Sequence, residues 1–301
     1  MKIKEEEIIE SLNRSGYFLE SRVLEILSNN DYQNFPNQTY PDKITAKSRE
    51  IDILSDSPRI TENINLNQYL HFEYKYKLLI ECINNDQPVA FFKRPDKDPF
   101  SIFGKFLYSK VERPLAEKFM NTGNTPDFQF NTFTVDSKEF HYNQLIKNTQ
   151  YCSFSRKKGQ KTEWMASHPD GLHDTLNKLV DYTEHQKETY EDWMNNHSAW
   201  RRDVFTTIFF PVIVLQNELI EVSENNGKVE IENKNHIIFD FKKYSDNRNG
   251  FLVDIITESY LPEYLKKVNN SVTELKNSMV EFYRDKEIVE IEYPKTKLKK
   301  N

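Results

Sequence analysis

Two short apolar runs, each holding one carboxylate, restrict what this chain can fold into. The first reads Ser48-Arg49-Glu50-Ile51-Asp52-Ile53-Leu54, the second Lys77-Leu78-Leu79-Ile80-Glu81-Cys82-Ile83-Asn84. Both are rich in β-branched and apolar residues between turn formers, which predicts two strands. A carboxylate desolvated inside a strand costs free energy unless it is paired, hydrogen-bonded or bound to metal. Two of them on neighbouring strands point to a cation site. The alternative is that each lies at a strand end and faces solvent. Strand alternation puts Glu50 and Asp52 on one face of the first strand, with Arg49 and Ile51 on the other. It puts Lys77, Leu79, Glu81 and Ile83 on one face of the second. Glu50 then either joins the cation site or pairs with a basic residue.

The flanking stretches supply the elements around these runs. Residues 2–13 have helical apolar spacing at Ile3, Ile8, Ile9 and Leu12. Ser15 reads as the N-cap of a second helix over 16–29, with the stripe Leu19, Val23, Ile26 and Leu27. Glu20 lies at the edge of that stripe, where a lone helix Glu ordinarily faces solvent. A first strand is expected over 31–40, bent or ended at Pro36, and the carboxylate strands over 46–55 and 71–84. Residues 56–67 read as a loop.

Helix, strand, strand, strand, with Asp52 on the second strand and Glu81 on the third, resembles the PD-(D/E)XK nuclease superfamily. The resemblance covers residues 15–92. It implies an α/β (α+β) fold: a mixed central sheet flanked by helices, a restriction-endonuclease-like core. On that reading the core is 15–92 and 167–257, a large insertion fills 93–166, and a C-terminal helix spans 261–285. Asp52 and Glu81 would bind Mg²⁺ or Mn²⁺, and Glu20 would be the acidic residue the superfamily often carries on its first core helix. The superfamily's lysine, two residues after the Glu, is Ile83 here. Lys77 is about 13 Å from Glu81 at strand rise, too far to replace it. Lys178 and Lys187, on a helix expected over 172–195, are the nearest candidates for a migrated lysine. Gln186-x-x-x-Tyr190 on the same helix matches a short motif of one nuclease subfamily.

Beyond the core the signals are local. Lys105–Met120 reads as a helix interrupted near Pro114, and 128–135 and 150–154 alternate like strands. Arg156, Lys157 and Lys158, with Lys161, form a basic loop beside Trp164, a composition that suits a phosphate backbone and stacked bases. A solvated loop is the alternative. His168 and His173 flank a turn without the spacing of a known metal motif. Residues 204–215 read as a buried strand. Strands at 218–222 and 236–240 are expected to join across the turn signal Asn225-Asn226-Gly227, followed by a strand at 251–257. A final helix starts near Pro262, with the stripe Leu265, Val268, Val272, Leu275, Met279 and Phe282.

Composition removes other classes. The seven glycines are far apart, so neither a phosphate-binding P-loop nor a dinucleotide fingerprint can be written. The net charge of -6 argues against a surface built for non-specific nucleic-acid binding. Two cysteines outside any Cys-x-x-Cys pair suit a reducing, cytoplasmic setting. No signal peptide is expected at the acidic start, and no apolar run is long enough to span a membrane. The functional expectation is a metal-dependent nuclease acting on DNA or RNA. The alternative is a nuclease-fold module that no longer cleaves and serves in nucleic-acid or protein binding.

Overall fold

The computed structural model describes residues 3–43, 45–58, 60–63, 70–95, 106–112, 140, 142, 146–156, 163–197, 202–243 and 250–285. The chain opens with α1 (Glu5–Ser15) and α2 (Tyr17–Ser28). Strands β1 (Gln33–Pro41), β2 (Ser48–Asp56), β3 (Ile60–Asn63), β4 (Leu70–Ile83), β5 (Val89–Pro95), β6 (Leu107–Glu112), β7 (Ile146–Arg156) and β8 (Trp164–Ser167) follow. Then come α3 (Asp170–His197), β9 (Arg202–Leu215), β10 (Leu219–Asn225), β11 (Lys228–Lys234), β12 (His236–Phe241), β13 (Phe251–Thr257) and α4 (Leu261–Asp285).

The described strands form one mixed sheet in the order β1-β2-β4-β9-β13-β12-β7-β5-β10-β11, with β3 on β4, β6 on β9 and β8 on β7. The pairs β1–β2 and β2–β4 are antiparallel, whereas β4–β9 and β9–β13 are parallel. A parallel pair needs a crossover, and α3 supplies part of the one between β4 and β9. Residues 206–215 of β9 and the whole of β13 are buried on both faces, which explains their nearly continuous apolar sequences.

Helices cover both faces. Leu19, Val23 and Leu27 of α2 pack with Leu265, Val268, Val272, Leu275 and Met279 of α4, against Ile53, Leu78 and Ile80 of the sheet. On the other face Leu172, Leu176, Leu179 and Val180 of α3 pack on Leu54, Leu79, Ile213 and Val253. All three stripes follow the helical period of the sequence.

Several local expectations are corrected. Ser15 is the last residue of α1 rather than a cap of α2. The break between the helices is Gly16, whose φ of +88° glycine adopts without a side-chain penalty. Part of the 56–67 loop is β3, which pairs with β4. The described part of the helix expected over 105–120 is β6, an extended strand on β9. The turn at Asn226-Gly227 has φ of +53° and +80°, but it joins β10 to β11. The 236–240 stretch instead becomes β12, paired with β13 and β7. The expected strand at 128–135 and residues Lys157, Lys158 and Lys161 lie outside the described residues.

Candidate functional site

The register of β2 on β4 pairs Ile53 with Ile80 and Asp56 with Lys77. One step further, Asp52 and Glu81 face each other, and the backbone ladder gives way to side chains. The Cys82 N–H donates to Asp52 Oδ2 at 2.7 Å, and the Asp52 N–H donates to Glu81 Oε1 at 3.4 Å. The carboxylates fill the gap where the two strands part. Strict alternation also fails here. Ile51 packs on the α3 face and Ile53 on the α2–α4 face, although they are two residues apart. On β1 the irregular point is Asn37, with φ of +54°, between the paired residues Pro36–Ile53 and Gln38–Ile51.

Lys178 completes the arrangement from α3. Its Nζ lies 2.5 Å from Glu81 Oε2, and the Glu81 side chain is only 4% exposed. The Tyr40 hydroxyl of β1 donates to the Lys178 backbone carbonyl at 2.9 Å, which fixes this turn of α3 over the strands. Ile83, at the position of the superfamily lysine, packs partly buried on the α3 face. Lys187 is not at the site: it pairs with Glu191 one turn along at 3.9 Å. Lys77 pairs with Asp56 at 3.0 Å.

The electrostatics mark one acidic cluster. Burial first, then the charge of Asp52, push the Glu81 carboxyl up to about 8 despite Lys178. Asp52 is raised chiefly by burial, with Glu50 adding to it and the Cys82 N–H and Lys178 opposing. Glu20, half-buried on α2, is raised by burial, Asp52 and Glu50 and lowered by Lys178. Glu50 itself is exposed. The Cys82 thiol, on the α2 side, is pushed well up by burial and by Asp52, Glu20, Glu81 and Glu258, which makes it a poor nucleophile. Arg22 of α2 neutralises Glu258 through two bonds, at 2.5 and 2.8 Å.

The structure thus brings together Asp52, Glu81, Glu20 and Lys178, and leaves the other predicted residues apart. Arg156 ends β7, four strands from β4, about 19 Å at ordinary strand spacing. Its guanidinium lies 4.9 Å over the exposed Trp164 ring. The rings of His168 and His173 are 5.9 Å apart, among Tyr151 and Phe241. Gln186 bonds to Tyr182, and Tyr190 lies under Lys75 with the amine 4.7 Å from its ring, about 18 Å along α3 from Lys178. Tyr40 is the residue sequence reasoning missed, because an aromatic in a strand signals only core. Among the described residues, no three His, Cys, Asp or Glu side chains are grouped so as to hold a metal ion. No helix among them is long and apolar enough to cross a membrane. No protein family, curated protein or solved structure matches the chain.

Proposed function

We propose that this chain is a divergent metal-dependent nuclease whose lysine is supplied from α3 by Lys178. The observation that carries the reading is the Lys178 ammonium on Glu81, beside Asp52, where the strand itself offers only Ile83. The donor pair suits a hard divalent ion, because Asp52 and Glu81 present carboxylate oxygens, with Glu20 the next acidic group on α2. Each of these carboxyls is raised by burial and by at least one carboxylate neighbour, a repulsion that a cation relieves. Mg²⁺ is commonly held by one or two carboxylates, with water and substrate phosphate completing its shell, so a third protein ligand is not required.

Asp52 and Glu81 would hold the ion, and Glu20 would orient it or a water beside it. A bound Mg²⁺ or Mn²⁺ would polarise a phosphodiester of DNA or RNA and lower the pKa of its water. Lys178, held in place by Tyr40, would put positive charge beside the attacking water and the scissile phosphate. Its pairing with Glu81 keeps that ammonium oriented before substrate arrives. Both cysteines are free, which fits a cytoplasmic setting. The second reading, a nuclease-fold module that binds without cleaving, is favoured by the same ion pair, since Lys178 engages an oxygen that an ion would use.

Purified protein should be incubated with single- and double-stranded DNA and RNA, with Mg²⁺, Mn²⁺ or EDTA. Cleavage is expected only with metal, and Asp52→Ala, Glu81→Ala and Lys178→Ala should each abolish it. Cleavage that survives EDTA or Glu81→Ala rejects the mechanism. Absence of cleavage, together with nucleic-acid binding, selects the second reading. Melting separates the two as well: Mn²⁺ at tenfold its dissociation constant should add about 1.4 kcal/mol to wild type. Asp52→Ala should lose that response.

A further inference from the structure

The strand β11 ends the sheet, and its residues Lys228–Asn233 are exposed on both faces. Among the described residues, no strand pairs with its outer edge. The unpaired N–H and C=O groups of such an edge are a template for another strand. One face adds apolar area. Phe92, Val222 and Ile231 are cross-strand neighbours on β5, β10 and β11, with Phe92 37% and Ile231 67% exposed. Val229, next along that face, is 57% exposed. The alternate residues of the inner strands, Phe91, Leu219 and Glu221, are buried on the opposite face.

We propose that β11 pairs antiparallel with β11 of a second copy of this chain about a twofold axis, continuing the sheet. The occupant follows from the strand's own sequence. A twofold pairing sets residues of like parity opposite one another, so each allowed register is centred on one residue. Centring on Glu230 sets Val229 against Ile231 twice and Lys228 against Glu232 twice. Centring one residue later sets Glu230 against Glu232 and Lys228 against Lys234, all like charges. The Glu230 pair on the axis is tempered by Lys228, whose Nζ lies 3.2 Å from Glu230 Oε1. Edges that exclude partners carry charge that repels a copy. This one reads Lys228, Glu230, Glu232, Lys234, an order that attracts a copy in the register centred on Glu230, which also sets Val229 against Ile231.

Mass in solution by light scattering or sedimentation tests the proposal. A dimer is expected for wild type and a monomer for Ile231→Lys. That side chain is exposed, so circular dichroism should be unchanged, and melting should lose only the concentration dependence that a dimer gives it. Glu230→Gln should tighten the dimer by removing the axial repulsion. Glu230→Cys should cross-link to its own copy under mild oxidation, because opposed residues of antiparallel strands lie about 4.5–5.5 Å apart between Cα atoms, within disulfide reach. Glu232→Cys should not, with wild type controlling for the native cysteines. A monomeric wild type, a dimer that survives Ile231→Lys, or equal cross-linking by both cysteine variants overturns the proposal.

Discussion

Glu81 holds the electrostatic balance of the site. Its nearest cation is Lys178, yet burial and Asp52 outweigh the pairing and raise the carboxyl from an ordinary 4.5 to about 8. The folded state therefore binds this proton more tightly than the unfolded chain. The stability it contributes is complete below pH 4.5 and is lost as pH rises through about 8. Asp52 is raised and adds in the same direction. Melting temperature should fall across that window in wild type and fall less in Glu81→Gln; parallel profiles would remove Glu81 as the source. Ile83 gives a second residue-scale expectation. With Lys178 already on Glu81, Ile83→Lys alone should not raise cleavage, but in a Lys178→Ala background it should restore part of it. The new ammonium would stand on the Glu81 face of β4. A double variant as inactive as Lys178→Ala would mean that the α3 position itself is required.

At the scale of elements, α3 must sit in one register over β4 for Lys178 to meet Glu81. Three contacts fix that register. Tyr40 bonds to the Lys178 carbonyl, and its ring lies 5.0 Å from that of Tyr182. Lys243 after β12 bridges Asp181 at 2.5 Å and Glu184 at 2.8 Å. Lys75 of β4 lies against Tyr190. Tyr40→Phe removes one hydrogen bond and keeps the ring, so urea unfolding should show a loss of about 1 kcal/mol. If the bond also positions Lys178, the cleavage rate should drop while substrate affinity holds. A stability loss with unchanged rate would make Tyr40 structural only.

At the scale of the molecule, a buried network ties β12 and β13, in the middle of the sheet, to α4. Asp254 is fully buried and accepts from the Tyr142 and Tyr264 hydroxyls, each at 2.8 Å, while His236 Nε2 lies 2.8 Å from its other oxygen. Lys267 Nζ is 3.3 Å from His236 Nδ1, which makes that nitrogen the acceptor and Nε2–H the donor to Asp254. Burial lowers the Lys267 amine. Asp254→Ala would leave two hydroxyls and an imidazole without their shared acceptor, at a cost of about 3–5 kcal/mol. Thermal unfolding should show the loss, with the metal response of the site unaffected at temperatures where the variant is folded. A loss below about 1 kcal/mol would mean that water or side-chain movement replaces the carboxylate.

Periodicity by itself determined the helices and the paired carboxylate strands. The stripes of α2, α3 and α4 and the apolar runs of β2, β4 and β9 are local patterns, and burial on a helix or sheet face demands those patterns wherever the face lies. The order of the strands also made Asp52 and Glu81 neighbours. The signal failed where neighbours rather than propensity chose the structure. β11, Lys-Val-Glu-Ile-Glu-Asn-Lys, is exposed on both faces and has no core face for its residues to mark. β6 is extended because β9 offers it an edge, from Leu107 opposite Phe209 to Glu112 opposite Val204. Lys178 could be named as a candidate but not chosen over Lys187. Both lie on one helix, and only the docking of α3, fixed by Tyr40 and by the packing of Leu176, Leu179 and Val180, decides which amine reaches Glu81. Strand pairing and helix register are contacts between distant parts of the chain, and no local pattern carries them.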